Sequence, residues 1–147
     1  MLMIQAVSMA LSEYPILNSS ISKDETEVTY HSDHNIGVAT DTPHGLLVPN
    51  IKQCQNLSVL EIAQELNRLV VSGAANKLSP KDITGGTFSL SNIGSIGGTY
   101  AKPVIMAPQV AIGAIGNYFL TNFNFNFKPS SGWKMSFFLT YCAITLF

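Results

Sequence analysis

The chain has 147 residues, enough for one domain with a core of its own and too short for two ordinary domains. Its net charge is -1, and its eight lysine and arginine residues do not cluster, which excludes a phosphate-binding surface for nucleic acid. Cys54 and Cys142 lack metal-ligand spacing, so we expect two reduced, buried thiols in a reducing compartment.

The first 15 residues predict an amphipathic helix and not a targeting segment. They lack a basic region, and their apolar run is interrupted by Gln5, Ser8 and Ser12. Tyr14 stands before Pro15, and a residue before proline is pushed out of the helical conformation. We therefore expect the helix to end at Tyr14.

Short strands and one hairpin are predicted next. Residues 27–30 and 35–40 have the composition of strands, and residues 45–48 resume the sheet after a turn at 42–45. A proline at the second position and a glycine at the fourth position of this segment suit a type I turn. We therefore expect residues 45–48 to pair with the preceding strand as a hairpin.

Residues 58–72 carry the most complete helix signal in the chain. Ser58 followed by Glu61 predicts a capping box, and Gly73 is a candidate C-terminal cap. Apolar residues recur at helical spacing and predict one buried stripe, composed of Val59, Ile62, Ala63, Leu66, Leu69 and Val70. After this helix, residues 77–82 form a polar linker that contains a second short helical start.

A strand that opens into a glycine loop follows. Hydroxyl residues Thr87, Ser89 and Ser91 alternate with Phe88 and Leu90, which predicts one hydroxylated and one apolar face. Three glycines then permit close backbone approach at the strand end, namely Gly94, Gly97 and Gly98. Residues 109–116 predict a small-residue strand buried on both faces.

The composition changes after Gly116. Residues 117–147 hold ten of the 14 phenylalanine, tyrosine and tryptophan residues and have Lys128 and Lys134 as their charges. The apolar residues 135–147 fall short of the roughly 20 residues that cross a bilayer. We expect an aromatic-rich, poorly ordered tail with the composition of an aggregation hazard and no membrane span.

Two long motifs carry a resemblance to a known family. GGTFSLSNIGSIGGTYAKPVI begins at Gly85, and NIGVATDTPHGLLVPNIK begins at Asn35. Together they resemble the catalytic domain of the 2-oxoacid dehydrogenase acyltransferases, most closely the branched-chain lipoamide acyltransferases. The likeness runs from about Ile4 to Gly116, so residues 1–116 are expected to be a partial acyltransferase catalytic domain.

The resemblance implies a fold, an assembly and a location. The implied fold is α/β (α+β), a mixed sheet flanked by helices, chloramphenicol acetyltransferase-like and incomplete at both ends. The implied partners are a homotrimer, a larger core and the other subunits of a dehydrogenase complex in the mitochondrial matrix. If the resemblance holds, we expect the given sequence to begin within the catalytic domain, without the family's transit peptide, lipoyl domain or subunit-binding domain.

The resemblance also implies a reaction, the transfer of an acyl group from dihydrolipoamide to coenzyme A. In the family a histidine in an H-R-x-x-D-G motif is the base, and this sequence has no such motif. We therefore expect an inactive form. Two alternatives stay open: a non-catalytic fragment that co-assembles with the full-length acyltransferase core, and a non-functional translation product.

Four residues match the family's site. Ser91 matches the hydroxyl residue that donates to the oxyanion, although a strand-end serine can also simply bond to nearby backbone. Asp41, Ser91, Asn92 and Gly116 match positions that line the coenzyme A site. Both Asp41 and Gly116 can also be explained without a ligand: Asp41 as a side chain that initiates a turn, and Gly116 as a residue at a cramped backbone position. Val70 departs from the polar residue expected there, which leaves substrate preference open.

The three histidines are expected to be structural. His31 and His34 lie in a polar turn between strands, and His44 lies in a turn with proline and glycine. None has the spacing of a metal site or of the family's base, so we assign no metal.

Overall fold

A computed structural model describes residues 1–43, 45–94, 104–120 and 138–146, with the backbone alone described at 117–120 and 138–146. The described residues include the α-helices α1 (Leu2–Glu13), α2 (Val59–Ala74) and α3 (Pro80–Ile83), and short 3₁₀ turns span Pro15–Asn18 and Cys54–Asn56. The strands are β1 (Ser19–Ile21), β2 (Val28–Tyr30), β3 (Ile36–Val38), β4 (Thr40–Thr42), β5 (Gly45–Leu47), β6 (Asn50–Ile51), β7 (Phe88–Asn92), β8 (Ala111–Leu120) and β9 (Phe138–Leu146).

A five-stranded mixed sheet in the order β6-β3-β7-β8-β9 forms the centre of the fold. Strands β3, β7 and β8 run parallel, and the two outer strands are antiparallel to their neighbours. The pairs β1-β2 and β4-β5 form two small separate sheets. The predicted mixed sheet flanked by helices is confirmed.

The hydrophobic core lies between this sheet and the helices α1 and α2. The helices contribute Ile4 and Leu11 from α1 and Ile62 and Leu69 from α2. The sheet and its loops contribute the remaining buried members of the cluster, which are Ile36, Ile51, Cys54, Phe88, Leu90 and Ala111. Cys54 is a free, buried thiol as predicted, whereas the side chain of Cys142 lies outside the described residues.

Helix α2 confirms the predicted capping box but corrects two details of the prediction. Val59 and Val70 are 39% and 40% exposed, so the buried stripe is narrower than expected. Gly73 lies inside the helix, which ends at Ala74, and the left-handed conformation belongs to Asn76 with φ of 53°. Asn tolerates that conformation, so the helix ends there without a glycine.

The predicted strand at residues 35–40 is two strands. β3 ends at Val38, and the Ala39 amide donates to the Leu90 carbonyl at 2.9 Å. β4 then begins at Thr40 and pairs with β5, which confirms the predicted hairpin. The break arises because β3 continues the parallel pairing with β7 whereas β4 turns away to its own partner.

Strand β8 crosses the predicted domain boundary at Gly116 and continues to Leu120. Its pairing with β9 shifts register between Ile115 and Tyr118, which is a local irregularity just past the boundary. The backbone of residues 117–120 and 138–146 is therefore part of the central sheet. The boundary at Gly116 and a poorly ordered tail remain predictions.

We expect Ser58→Ala to lower the free energy of unfolding by about 1 kcal/mol. The Ser58 hydroxyl accepts from the Glu61 amide at 3.3 Å, and the Ser58 amide donates to the Glu61 carboxylate at 2.7 Å. Chemical denaturation measures the change. Ser12→Ala, at an exposed position inside α1, is the control and should have little effect. An equal loss in both variants would contradict the assignment of the cap.

We expect Gly73→Ala to stabilise the chain by about 0.5–1 kcal/mol, because alanine favours a helix interior over glycine. An added Cβ would lie 3.6 Å from Leu78 and Thr42 side-chain atoms, an ordinary contact distance. Gly45→Ala should destabilise it, since Gly45 has φ of 113°. Thermal denaturation of both variants measures these opposite changes in stability. A Gly73→Ala variant that is less stable than the starting protein would support the predicted role of Gly73 as the C-terminal cap.

Candidate active site

The carboxyl ends of the parallel strands meet at one edge of the sheet. Leu90 pairs with Val38 of β3 and with Gly113 of β8, so β7 is held on both sides just before it ends. Ser91 and Asn92 are the last two residues of β7. Ligands bind outside this edge in many open α/β sheets, which makes the end of β7 the first place to look for a site.

Asn92 and Gly94 form a tight turn directly beside Gly116. The Gly94 amide donates to the Asn92 side-chain oxygen at 3.2 Å, and the Ile93 amide donates to the Ile115 carbonyl at 2.9 Å. A Cβ added to Gly94 would lie only 3.0 Å from the Gly116 carbonyl oxygen. The absence of a side chain at Gly94 therefore favours the close approach of the β7 turn to β8.

A cavity of about 380 Å³ adjoins this turn. Asn92, Gly94 and Gly116 supply one part of its wall. The rest is mainly apolar and comes from α1, α2 and the sheet, through Met3, Ile4, Val38, Leu66, Leu90 and Ile115. The fold thus brings two of the four predicted site residues, Asn92 and Gly116, to one cavity.

Ser91 lies on the other face of the sheet. Side chains alternate along a strand, so Leu90 and Asn92 share the cavity's face whereas Ser89 and Ser91 share the opposite one. Ser89 is buried and donates to the Gln109 side-chain oxygen at 2.7 Å, which ties this face of β7 to the entry of β8. Ser91 is half-buried at the strand end.

Asp41 does not join Asn92 and Gly116 at the cavity. It is exposed on β4, where it pairs with Leu46 of the hairpin. Because β4 starts two residues after β3 ends, Asp41 leaves the sheet at the same edge as Asn92. The structure therefore groups Asn92 and Gly116, with Ser91 on the reverse face and Asp41 on an adjacent hairpin.

The two described histidines are engaged away from the cavity. His31 Nε2 lies 2.9 Å from the Ser20 hydroxyl, and His34 Nδ1 lies 2.8 Å from the Ser8 hydroxyl. Burial lowers the pKa of His34, and Asp33 offsets part of that effect. His44 lies outside the described residues. Within the described chain, no group of His, Cys, Asp or Glu could hold a metal ion.

An ion-pair network joins α2 to α3, the short helix that precedes β7. Arg68 on α2 contacts Glu65 and Asp82, each at 2.7 Å. The hydrogen bond from Arg68 holds the pKa of Asp82 at about 2, well below its usual range. Asp82 also caps α3 by accepting from the Ser79 amide at 2.9 Å. This network holds α3 against α2 immediately before β7.

A larger cavity of about 470 Å³ lies at the amino end of β7, away from Ser91. Many of its polar wall groups bond to one another. Asn35 Nδ2 donates to the Gly85 carbonyl at 2.9 Å, and Gln109 Nε2 donates to the Gly86 carbonyl at 3.1 Å. This cavity is therefore a polar space between secondary-structure elements, and the predicted site residues do not line it.

Sequence reasoning missed the contributions of the helices to the cavity beside Asn92. Met3 and Ile4 of α1 and Leu66 of α2 line this cavity. The sequence predicted Leu66 as part of a buried stripe, because helical periodicity indicates burial without indicating the partner surface. The role of Gly94 was foreseen, whereas Gly97 and Gly98 lie outside the described residues. No described helix is long and apolar enough to cross a membrane.

Comparison with known proteins identifies the family of the chain. Residues 1–139 match the family described as 2-oxoacid dehydrogenases acyltransferase (catalytic domain). The chain belongs to this acyltransferase family. The resemblance carried by the two sequence motifs is confirmed, and so is the acyltransferase fold that it implied.

The relatives of this acyltransferase chain are components of dehydrogenase complexes. The lipoamide acyltransferase component of the branched-chain alpha-keto acid dehydrogenase complex, mitochondrial, of Bos taurus is 58% identical over 113 residues, or 77% of this chain and 23% of the relative. The dihydrolipoyllysine-residue acetyltransferase component of the Mycoplasma genitalium pyruvate dehydrogenase complex is 40% identical over 114 residues, or 78% of this chain and 30% of the relative.

Solved acyltransferase structures share the fold. The Azotobacter vinelandii dihydrolipoamide acetyltransferase superposes with a TM-score of 0.78 at 30% identity, covering 97% of this chain and 55% of that chain. The Thermoplasma acidophilum catalytic core gives 0.75 at 32% identity, covering 80% and 55%. The chain thus spans about a quarter of its curated relatives and about half of the solved cores.

We expect Gly94→Ala to lower the free energy of unfolding by about 1–3 kcal/mol, the usual cost of forcing an added methyl group into a packed site. The new methyl would press on the Gly116 carbonyl at 3.0 Å and on Asn92 Oδ1 at 3.3 Å. Urea denaturation measures the loss, with Gly73→Ala as the matched glycine control. A Gly94→Ala variant as stable as the starting protein would show that the turn after β7 does not approach Gly116 closely.

Proposed function

We propose that this chain carries part of an acyltransferase site, in which an acyl group moves from dihydrolipoamide to coenzyme A within a 2-oxoacid dehydrogenase complex. The observation that carries the proposal is the position of Ser91 and Asn92 at the end of the central parallel strand, next to Gly116. Its support is membership of the acyltransferase family and the similarity to branched-chain relatives. A branched-chain acyl group and the mitochondrial matrix belong to the proposal.

Ser91 is proposed as the oxyanion donor. When the thiol of coenzyme A attacks the thioester carbonyl, negative charge develops on the carbonyl oxygen, and a fixed hydroxyl donor stabilises it. Two restraints fix the Ser91 backbone in register opposite Ala114, namely the pairing with β8 and the buried Ser89–Gln109 hydrogen bond two residues earlier. The backbone of Ser91 is therefore held in place, which supports the proposed donor role.

Asn92, Gly116 and Asp41 are proposed as coenzyme A contacts. Asn92 uses its side-chain oxygen in the turn with Gly94, which leaves the amide NH₂ to donate to a ligand. The Gly116 backbone lies at the same cavity, and Asp41 is exposed on the neighbouring hairpin. In this proposal Asn92 and Gly116 contact coenzyme A at the strand end, and Asp41 contacts a more distant part of the same molecule.

The chain as written is proposed to be inactive. Acyl transfer needs a base for the attacking thiol, and the sequence lacks the H-R-x-x-D-G motif. His31 and His34 are bonded to serines and do not line the cavity beside Asn92. Loss of general base catalysis lowers a reaction rate roughly 10²- to 10⁴-fold.

A proposed alternative is that the chain co-assembles with a full-length acyltransferase core without catalysing transfer. Apolar side chains such as Leu60 and Val71 are exposed on α2, which supports this alternative.

We expect the chain as written to give a transfer rate at background level with a branched acyl-dihydrolipoamide and coenzyme A. When a continuation that supplies H-R-x-x-D-G replaces the residues after Gly116, turnover should return. Ser91→Ala in that repaired chain should then lower kcat roughly 10²- to 10³-fold, because one oxyanion donor is lost. Thioester formation in a spectrophotometric assay measures all three rates.

Ser12→Ala in the repaired chain is the control, since Ser12 is an exposed helical serine on α1 and should leave the rate unchanged. Robust turnover by the chain as written would show that another residue is the base. Full activity of the repaired Ser91→Ala variant would show that Ser91 is only a strand-end serine. Co-purification of the chain with a tagged full-length core, without gain in turnover, would favour the co-assembly alternative.

A further inference from the structure

The cavity beside the end of β7 has an apolar floor that is continuous with the core. Val38, Leu90 and Ile115 line it from the sheet, and Ile4 and Leu66 line it from α1 and α2. Leu90 and Ile4 are only 5% and 3% exposed, so the floor belongs to the packed interior. An apolar group that enters such a concave space is removed from water together with the walls that it covers, and both contributions favour binding.

The described residues that line this cavity include no lysine, arginine, aspartate or glutamate. Two other cavities of the described chain differ in this respect. One has Asp33 in its wall, and the other, against α2, is lined by charged residues that include Lys52, Glu61 and Arg68. Phosphate groups are bound by basic side chains or clustered backbone amides, so the nucleotide end of coenzyme A does not suit the uncharged cavity. An aliphatic chain does.

The mouth of the cavity opens at the strand end where the acyl carbonyl is proposed to lie. Ser91 and Asn92 are consecutive residues, so their Cα atoms are about 3.8 Å apart. Asn92 borders the mouth together with Gly94 and Gly116, which add no side chains that would close it. A thioester carbonyl held at the end of β7 is therefore only a few bonds from the mouth. The acyl chain, which is bonded to that carbonyl, is the part of the substrate that reaches the cavity.

We propose that this cavity is the subsite for the acyl chain, and that Leu66 and Met3 set the size of the chain that it accepts. The proposal rests on the proposed function. The class of group is a short aliphatic chain larger than acetyl. An acetyl group adds one methyl group, comparable to a water molecule of roughly 30 Å³, and would leave most of the 380 Å³ cavity unfilled.

The walls of the cavity divide into a fixed side and an adjustable side. Val38 and Ile115 on the sheet are β-branched, which restricts their side-chain rotamers. Met3 stands at the rim and is 40% exposed, and methionine is an unbranched, flexible side chain that adapts to different shapes. Leu66 is half-buried on α2 and completes the helix side. The size of the accepted chain therefore depends on the helix side, because the sheet side does not adjust.

Binding of small thioesters to the full chain tests the subsite without the nucleotide. The probes are acetyl and isovaleryl thioesters of N-acetylcysteamine. Isovaleryl has three more carbons than acetyl, and each fully buried carbon raises affinity roughly fourfold. We expect isovaleryl to bind at least about tenfold more tightly, since part of the chain stays in contact with water. Methyl NMR titration should shift the signals of Ile4, Leu66 and Ile115 and leave those of Leu60 and Val71, on the exposed face of α2, in place.

Leu66→Ala tests whether this side chain limits the size of the acyl group. It removes three carbons from the wall, and an octanoyl probe adds three carbons to the isovaleryl chain. We expect the ratio of octanoyl to isovaleryl affinity to rise about tenfold in this variant. A residue that only supports the fold would instead weaken binding of all chains alike, so the ratio separates a specificity role from a structural one.

Met3→Trp provides a second variant that does not disturb the core. The larger side chain at the rim should fill the mouth and lower isovaleryl affinity to the level of acetyl. Met9→Trp is the matched control, because Met9 is a methionine of the same helix that is 66% exposed and does not line the cavity. It should leave both affinities unchanged.

Three results would overturn the proposal: equal affinity for acetyl and isovaleryl, methyl shifts confined to residues outside the cavity, or equal effects of Met3→Trp and Met9→Trp. A folded Leu66→Ala variant with an unchanged octanoyl ratio would remove Leu66 from the proposal. If Leu66→Ala does not fold, the methionine pair still decides.

Calorimetric titration with coenzyme A separates this inference from the proposed function. Preference for isovaleryl in the cavity without detectable coenzyme A binding would leave the acyl subsite standing and count against the proposed coenzyme A contacts. Binding of coenzyme A without any preference among acyl chains would reject the subsite and support those contacts. Failure of both titrations would reject both.

Discussion

The pairing of β7 with a parallel strand on each side is the constraint on which the rest of this structure depends. β3 holds one edge of β7 and β8 holds the other, so Phe88, Ser89 and Leu90 are buried between neighbours. Parallel pairing requires long crossover connections, which here include the helices α2 and α3. The same arrangement brings the carboxyl ends of three strands together and leaves Ser91 and Asn92 at that edge.

Two pairs of buried polar side chains join elements near the candidate site. Ser89 and Gln109 join β7 to the segment before β8, and Ser8 and His34 join α1 to the loop before β3. Asn18, also buried, donates to the His31 and Asp33 carbonyls and so fixes the same loop from below α1. Buried polar pairs of this kind specify one arrangement because any slip leaves a partner unsatisfied.

The candidate active site is divided between two faces of one strand. Asn92 and Gly116 share an apolar cavity with α1 and α2, while Ser91 lies on the reverse face beside Ser89. A ligand that contacts both Ser91 and Asn92 therefore passes around the end of β7. The site then depends on the turn at Gly94 as much as on any side chain, because that turn sets where the strand stops.

The sequence by itself determined the local features: the capping box of α2, the alternation along β7, the hairpin of β4 and β5, and the acyltransferase motifs. These depend on residues close together in the chain, where periodicity and turn chemistry act. Only the tertiary structure decided which helical positions were buried, where the strand at residues 35–40 divided, and that Gly73 packs inside α2. It also decided that Ser8 meets His34 and that α1 covers the cavity, since contacts between residues distant in sequence leave no local pattern.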